Sequence, residues 1–339
     1  DVIWKQNFGF RISGSGWYDP QYKDDENDHP GDRNATWASP SADIGEFNHE
    51  AEDLHYAGGE LLDAFVFANF DIGDTALGMR AGRHTIYWGN SLLAVGAINS
   101  FGGSMSPLDF NKGLAVPGTE AKELFRPTAK LSTVWQFTDN LTFNAYYNLE
   151  HGRHLLPEAG TYFSPITGLT EDSEFVKVPE PLSSDPADLT SPVRTGYRVD
   201  YKDKTDTGDW GINFQYYFEP WALETSFIYM NYVDKNLPGL GGGADFLIAA
   251  GLASPYETPA NWDDGALAIG KGFWIFKDDI ELWGVSFAKE IAGVSVGLDS
   301  AYRQAAGLTP GFNETLGQAY NVIPGFEGAA EAQGFHVLK

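Results

Sequence analysis

The feature that most constrains this chain is an alternation of apolar and polar side chains with a period of two. The alternation has no interruption between Leu141 and Glu150, or between Trp210 and Glu219. Successive side chains of a β-strand point to opposite faces of a sheet, so the pattern predicts strands with one apolar and one polar face. Nine segments carry it, at residues 2–18, 54–73, 75–89, 129–138, 141–151, 209–219, 221–233, 280–291 and 293–304.

A few positions depart from the alternation. Phe65 and Phe67 fall on the polar parity of their segment, Arg83 breaks the parity of the next one, and 280–291 fits either phase. A β-bulge or a side chain that lines a cavity produces such departures. Both explanations stay open at the level of sequence.

The connections between these segments alternate strictly between short and long. Four connections are tight turns, at 71–74, 138–140, 219–220 and 292–293. Four are long, at 19–53, 90–128, 152–208 and 234–279. Soluble domains seldom contain structureless loops of about 20 residues, whereas transmembrane β-barrels combine short periplasmic turns with long extracellular loops. The pattern therefore predicts an all-β fold over 1–339, a single transmembrane antiparallel up-and-down barrel whose apolar positions face lipid and whose polar positions face the lumen.

Composition narrows the choice further. Aromatic residues make up 14% of the chain and 39 positions are glycine, a mixture that favours strands and turns. The 47 acidic and 22 basic residues give a net charge of −25, which repels phosphates and argues against nucleic acid as a partner. Without cysteine, thiolate chemistry and disulfides are excluded. Aromatic residues near predicted strand ends fit the interfacial girdles of a barrel, or alternatively the core of a soluble β-sandwich.

The strand count raises the question of closure. Bacterial single-chain barrels have even strand numbers, and residues 335–339 look like the first residues of a tenth strand. We therefore expect about nine or ten strands here and a barrel that continues beyond Lys339. The alternative is ten strands with a very short last one. At the other end, Asp1 is what a processed mature N-terminus would look like.

Residues 80–141 contain a distinctive series of motifs. They are Arg80-Ala-Gly-Arg-His84, Tyr87-Trp-Gly-Asn90, Gly96-Ala-Ile-Asn99, Pro107-Leu-Asp109, Val116-Pro-Gly118, Glu120-Ala-Lys-Glu-Leu124 and Phe137-Thr-Asp-Asn-Leu141. In this order and spacing they resemble a proteobacterial outer-membrane family known only as a domain of unknown function. His84 and Asn90 stand where glutamine and glutamate are usual in that family.

The resemblance implies a barrel in the outer membrane of a Gram-negative bacterium, surrounded by outer-membrane lipid and lipopolysaccharide. It also implies a periplasmic lipoprotein-sorting-like partner and an inner-membrane exporter of the resistance-nodulation-division type, and with them movement of hydrophobic or lipid-like molecules. We thus expect a porin-like channel or envelope-transport component and no enzyme. The alternatives are a surface-display or adhesion barrel that uses its long acidic loops, and a soluble β-rich carbohydrate-binding protein or glycosidase.

Charged residues on the polar parity are candidates for the pore lining. They are Lys5, Arg11, Asp63, Arg80, Lys130, Glu150, Glu224, Asp299 and Arg303. Charges that line a lumen set its selectivity. Alternatively they form a salt-bridge network that fills a narrow barrel.

The connection 90–128 is glycine-rich and partly apolar, which is unusual for a solvated loop. We expect it to fold inward as a constriction, or alternatively to pack on its neighbours outside. Its candidate residues are Leu92, Leu93, Asn99, Phe101 and Asp109.

The connection 19–53 is strongly acidic. Its carboxylates Asp24, Asp25, Glu26 and Asp28 are the hard oxygen ligands that Ca²⁺ prefers, although acidic loops also simply stay solvated. No other cofactor is expected, since neither H-E-x-x-H nor G-x-S-x-G occurs.

Overall fold

The structure is a computed structural model of the chain. It describes residues 1–4, 7–23, 47, 51–90, 100–158, 161–163, 208–235, 254 and 279–304. For residues 121–122 within these ranges, and for 37–38, 175–178, 195–200, 239–244 and 267–275 outside them, it describes the backbone alone.

The described backbone consists mostly of strands. In chain order they are β1 (Val2–Trp4), β2 (Phe8–Tyr18), β3 (Trp37–Ala38), β4 (Ala57–Ile72), β5 (Thr75–His84), β6 (Thr128–Thr138), β7 (Leu141–Asn148), β8 (Phe175–Val178), β9 (Thr195–Asp200), β10 (Trp210–Phe218), β11 (Leu223–Tyr232), β12 (Gly239–Ala244), β13 (Leu267–Ile275), β14 (Ile280–Ile291) and β15 (Val294–Gln304).

Helical structure is confined to short segments. They are α1 (Phe101–Met105), α2 (Phe110–Ala115), the 3₁₀ turns Pro20–Tyr22, Ala121–Leu124 and Glu219–Trp221, and the π-helical turn Glu52–Tyr56. Within the described residues, no helix has both the length and the apolar character that a membrane crossing requires.

Ten strands form one antiparallel sheet in the order β1-β2-β4-β5-β6-β7-β10-β11-β14-β15. The nine predicted strand segments and the four tight turns are confirmed, although the strand predicted at 75–89 ends at His84 and the one predicted at 54–73 begins at Ala57. The segment 2–18 differs in one respect, because it is a hairpin in which Val2 pairs with Phe10 and Trp4 with Phe8. The sequence indicates this reversal of the chain, since the alternation is interrupted at Gln6, between the two strands.

The all-β antiparallel prediction is therefore confirmed at the level of the sheet. In the described part of the chain the sheet is open, with β1 and β15 as its two edges.

A second sheet of five strands has the order β12-β13-β9-β8-β3. Its strands come from three of the long connections, 19–53, 152–208 and 234–279, in which the sequence predicted no strands. One pair, β9 with β13, is parallel and the others are antiparallel. The prediction missed them because most are short, and because Gly239–Ala244 has no apolar–polar alternation. In β9, Tyr197 and Val199 alternate with Arg198 and Asp200, but the strand has only six residues.

Register partners in the large sheet form continuous rows from β1 to β15. One row contains Trp4, Phe8, Ala68, Met79, Thr133, Ala145, Ile212, Tyr229, Trp283 and Tyr302. The adjacent row, on the opposite face, contains Ile3, Gly9, Phe67, Arg80, Ser132, Tyr146, Gly211, Met230, Leu282 and Arg303. We call the first side the apolar face. The second is the covered face, because α1 packs on it.

The apolar face is exposed along the whole sheet. Leu131 exposes 48% of its surface, Phe227 58%, Trp283 55% and Leu298 61%. The buried core lies instead on the covered face, around Phe101 and Met105 of α1.

The ladder between β4 and β5 depends on Gly82. Its φ is +123°, and a Cβ there would overlap the carbonyl oxygen of Ala64 and the backbone of Phe65. We expect Gly82→Ala to destabilise the folded protein by about 1–3 kcal/mol, measured as the shift in the urea midpoint of unfolding. Gly78→Ala is the control, since the nearest atom there is the flexible Asn69 amide oxygen at 3.1 Å. Equal midpoints for the two variants would contradict this account.

Candidate functional site

The chain leaves β5 after His84 and crosses the covered face. Trp88 packs edge to face against Tyr146 of β7, with ring centroids 5.3 Å apart. Asn90 then reaches the far side of the sheet, where its backbone N–H donates to Asp299 Oδ2 at 2.8 Å and its Nδ2 donates to Ser286 Oγ at 2.7 Å. Residues 85–90 therefore connect β5 with β14 and β15.

Helix α1 is seated on the covered face beside this crossing segment. Ser100 caps it by accepting a hydrogen bond from the Gly103 N–H at 3.0 Å. Phe101 lies over Gly284, where a Cβ would overlap its ring. The side chains that pack around α1 form one apolar cluster of Trp88, Phe101, Met105, Tyr146, Ile228, Met230, Tyr232, Ile280 and Leu282.

The packing of α1 on the covered face explains why 280–291 fits either phase of the alternation. Ile280 and Leu282 are apolar because they lie under α1 on the covered face. Trp283 and Val285 are apolar because they lie on the opposite face. The strand is therefore apolar on both sides at one end.

Two buried lysines hold the end of α1. Lys235 Nζ lies 2.6 Å from Asp209 Oδ2 and donates to the Ser104 carbonyl oxygen at 3.0 Å. Lys130 Nζ donates to Ser106 Oγ at 3.2 Å. The side chains of Lys235 and Asp209 are only 1% and 4% exposed, so the pair is almost completely desolvated.

Asp209 directly precedes β10 and remains ionised. Burial alone would raise the pKa of its carboxyl group. The charge and hydrogen bond of Lys235, together with the Val233 N–H that donates to Oδ1 at 2.9 Å, outweigh burial and hold that pKa below its usual value.

Most of the charged residues predicted to line a pore share the covered face. The sheet register places Arg80, Lys130, Glu224, Asp299 and Arg303 there. Arg11 is on the same side and its Nε lies 3.2 Å from Asp63 Oδ2. Lys5 lies outside the described residues. Whether these groups face a pore stays a prediction.

The shared face does not bring these residues into one cluster. Lys130 is buried beneath α1, and Arg303 Nε donates to the Tyr232 hydroxyl at 3.1 Å. Glu150 follows the end of β7 and pairs with Arg83 at 3.1 Å. That ion pair explains why a charged residue, Arg83, stands at a position where the alternation of its strand predicts an apolar one.

The connection 90–128 folds onto the covered face where it is described. Phe101 is buried there, 2% exposed. Asp109 caps α2 by accepting from the Lys112 N–H at 2.8 Å, and burial raises the pKa of its carboxyl group. Leu92, Leu93 and Asn99 lie outside the described residues, so their predicted role is not addressed.

The acidic candidates for Ca²⁺, Asp24, Asp25, Glu26 and Asp28, also lie outside the described residues. Among the residues that are described, no three His, Asp or Glu side chains come together as a metal site would require.

Sequence reasoning missed Asp209 and Lys235. Neither belongs to a motif, and Lys235 lies in the long connection 234–279, outside the alternating segments. Only the fold brings the two charges together, so the local pattern contains no signal for them.

Comparison with known proteins adds one match. A family model described as Protein of unknown function (DUF1302) matches residues 1–335, which agrees with the resemblance carried by the motifs of residues 80–141. No curated protein and no solved structure matches the chain.

The Lys235–Asp209 pair supports a first prediction about the site. Asp209→Asn would leave the buried Lys235 without the carboxylate that it pairs with, which costs about 3–5 kcal/mol of folding stability. We expect a correspondingly lower urea midpoint. Glu224→Gln removes an exposed carboxylate from the same face and should change the stability by less than about 0.5 kcal/mol.

The same pair predicts a pH dependence. Because the folded pKa of Asp209 is lowered, its contribution is present above the unfolded pKa of about 4 and is lost as pH falls through the folded value. The urea midpoint of the wild type should therefore fall more steeply below about pH 4 than that of Asp209→Asn. Parallel curves for the two proteins would contradict the assignment.

Proposed function

Because the chain belongs to the family described as Protein of unknown function (DUF1302), a description that assigns no activity, we propose a function from the geometry of the molecule itself. The protein is an outer-membrane β-barrel that provides a porin-like passage through the envelope of a Gram-negative bacterium. Residues 85–128 act as the constriction of that passage.

The exposed apolar face is the observation that carries this proposal. Large side chains such as Phe227, Trp283 and Leu298 are more than half exposed, and the row to which Trp283 belongs extends across ten strands. Soluble monomers rarely expose an apolar patch of more than a few hundred Å². Lipid removes the cost of such a surface, which in water is roughly 25 cal/mol per Å².

The charged and covered side of the sheet supports the same proposal of a membrane barrel. In a transmembrane barrel the polar parity faces the lumen, and here that parity carries Arg11, Arg80, Glu224, Asp299 and Arg303. The segment that includes α1 lies on this face, held by buried contacts to Lys130 and Lys235. A segment seated in this way narrows a lumen and can regulate passage.

The proposal requires that each of the two edge strands, β1 and β15, have a hydrogen-bonded strand partner in the membrane, either the other edge strand or a strand beyond the described residues. An edge strand in hydrocarbon leaves backbone N–H and C=O groups unsatisfied, at several kcal/mol for each group, so a sheet crosses a bilayer only as a closed barrel.

As the transported molecules we propose hydrophobic or lipid-like compounds, delivered with the periplasmic and inner-membrane partners that the family resemblance implies.

Two residues of β6 offer a matched test of the membrane assignment. Leu131 on the apolar face and Val134 on the covered face are 48% and 49% exposed. We expect Leu131→Arg to lose about 2–4 kcal/mol of stability in a bilayer and to reduce the folded protein in the outer-membrane fraction. Val134→Arg should fold like the wild type. The readout is the band whose gel mobility changes on boiling.

In a soluble protein the two arginines would be equally harmless, because both positions are equally exposed. Equal amounts of folded protein for both variants, recovered without detergent, would therefore overturn the membrane assignment.

The constriction is tested by the conductance of the full-length protein in planar bilayers. Gly284→Ala places a Cβ against the Phe101 ring and should loosen α1, so we expect a larger or more frequent opening than in the wild type. Deletion of 92–113 should have a stronger effect. Gly16→Ala is the control, since a Cβ there meets only the Gly58 carbonyl oxygen, at an ordinary 3.5 Å. Absence of conductance in all four proteins would refute both channel and constriction.

A further inference from the structure

The covered face contains a chamber of about 650 Å³ next to the seat of α1. Strands β4, β5, β6, β7 and β10 form its floor, and residues 85–88 of the crossing segment form its wall. Its floor extends from the row of Arg80 and Ser132 to the row of Ala76 and Gln136, towards the tight turns. A volume of about 300–1,000 Å³ is typical of small-molecule sites.

Apart from Arg80 and Asp71, the chamber is lined by apolar and neutral polar side chains. Phe67, Ile86, Val134 and Trp88 supply apolar surface, and Val134 is half-exposed although it stands on the polar parity. This placement accounts for Phe67, which departs from the alternation of its strand because it lines a cavity. The amides of Asn144 and Gln215 are hydrogen-bonded to each other at 2.9 Å.

Arg80 is the cation of this chamber, and its surroundings differ from those of other described arginines. Arg11, Arg83 and Arg126 each pair with a carboxylate. Within the described part of the chain, Arg80 has no carboxylate within ion-pair distance, and its guanidinium lies 5.6 Å from the centre of the Phe65 ring.

The carboxylate that shares the chamber is too far away to neutralise Arg80. Asp71 pairs with Ala76, whereas Arg80 pairs with Phe67, so the two residues are separated by four rungs of the ladder, or about 13 Å. The guanidinium keeps its donors available beside an apolar wall. An arginine in this position matches a carboxylate or a phosphate, to which it donates two parallel hydrogen bonds.

We propose that this chamber binds a small amphipathic anion, with its acidic group on Arg80 and its apolar body against Phe67, Val134 and Trp88. This inference rests on the proposed transport function in one respect only, because it names the chemical class of the transported molecule that binds next to α1. The negative charge of the whole chain repels anions, so an arginine with no carboxylate partner among the described residues gives this chamber a selective feature.

The test is a calorimetric titration of the full chain in nanodiscs of uncharged phosphatidylcholine. The probes are naphthalene-2-carboxylate and its neutral counterpart naphthalene-2-carboxamide, which differ in charge but hardly in shape. We expect the carboxylate to bind more tightly to the wild type. Arg80→Gln should weaken its binding by about 10-fold or more and leave the carboxamide unchanged, while Arg80→Lys should retain part of the difference.

Two further variants complete the design. Lys112→Gln removes a cation from α2, outside the chamber, and should leave both probes unchanged. Val134→Trp fills the chamber without changing its charge and should weaken both probes, so it tests the site even if Arg80→Gln folds poorly. Equal affinities for the two probes in the wild type, or carboxylate binding that Arg80→Gln does not alter, would overturn the proposal.

Binding and conductance separate this inference from the proposed function. Probe binding that depends on Arg80 in a protein without conductance would preserve the site and refute the channel. Conductance without probe binding would do the reverse.

Discussion

The antiparallel register of the large sheet is the constraint on which the other features depend. Because side chains alternate between faces with a period of two, a slip by one residue in any strand would transfer all its side chains to the opposite face. The observed register keeps Phe8, Met79, Ile212 and Trp283 on one face through ten strands. It thereby gathers Arg80, Lys130 and Asp299 on the other, where α1 and the chamber lie.

The strands and tight turns could be predicted because they leave a local signal. An alternating segment such as 141–148, followed or preceded by a two- or three-residue turn, specifies its own conformation. The hairpin of β1 and β2 was missed although Gln6 interrupts the pattern, since one interruption does not distinguish a turn from a bulge. The strands of the second sheet show at most a short alternation, and the parallel pairing of β9 with β13 joins segments about 70 residues apart.

The site was predictable only in part, for a related physical reason. Parity identified the face of Arg80 and Asp299, but not their partners, because partners depend on contacts between distant strands. The departures from parity were the more informative positions. Phe67 lines a cavity, Arg83 pairs with Glu150, and 280–291 is apolar on both sides under α1. The covered face thus has two environments, a packed cluster around Phe101 and an open amphipathic chamber around Arg80.

The bond between Asn90 and Asp299 joins positions 209 residues apart, and this has a consequence for the order of folding. Contacts of such high sequence separation form late, because the loop that they close must first lose its conformational entropy. The crossing segment can find its acceptors only after β14 and β15 have joined the sheet. The covered face of the sheet therefore stays accessible to water until a late step of folding, when the crossing segment docks on it.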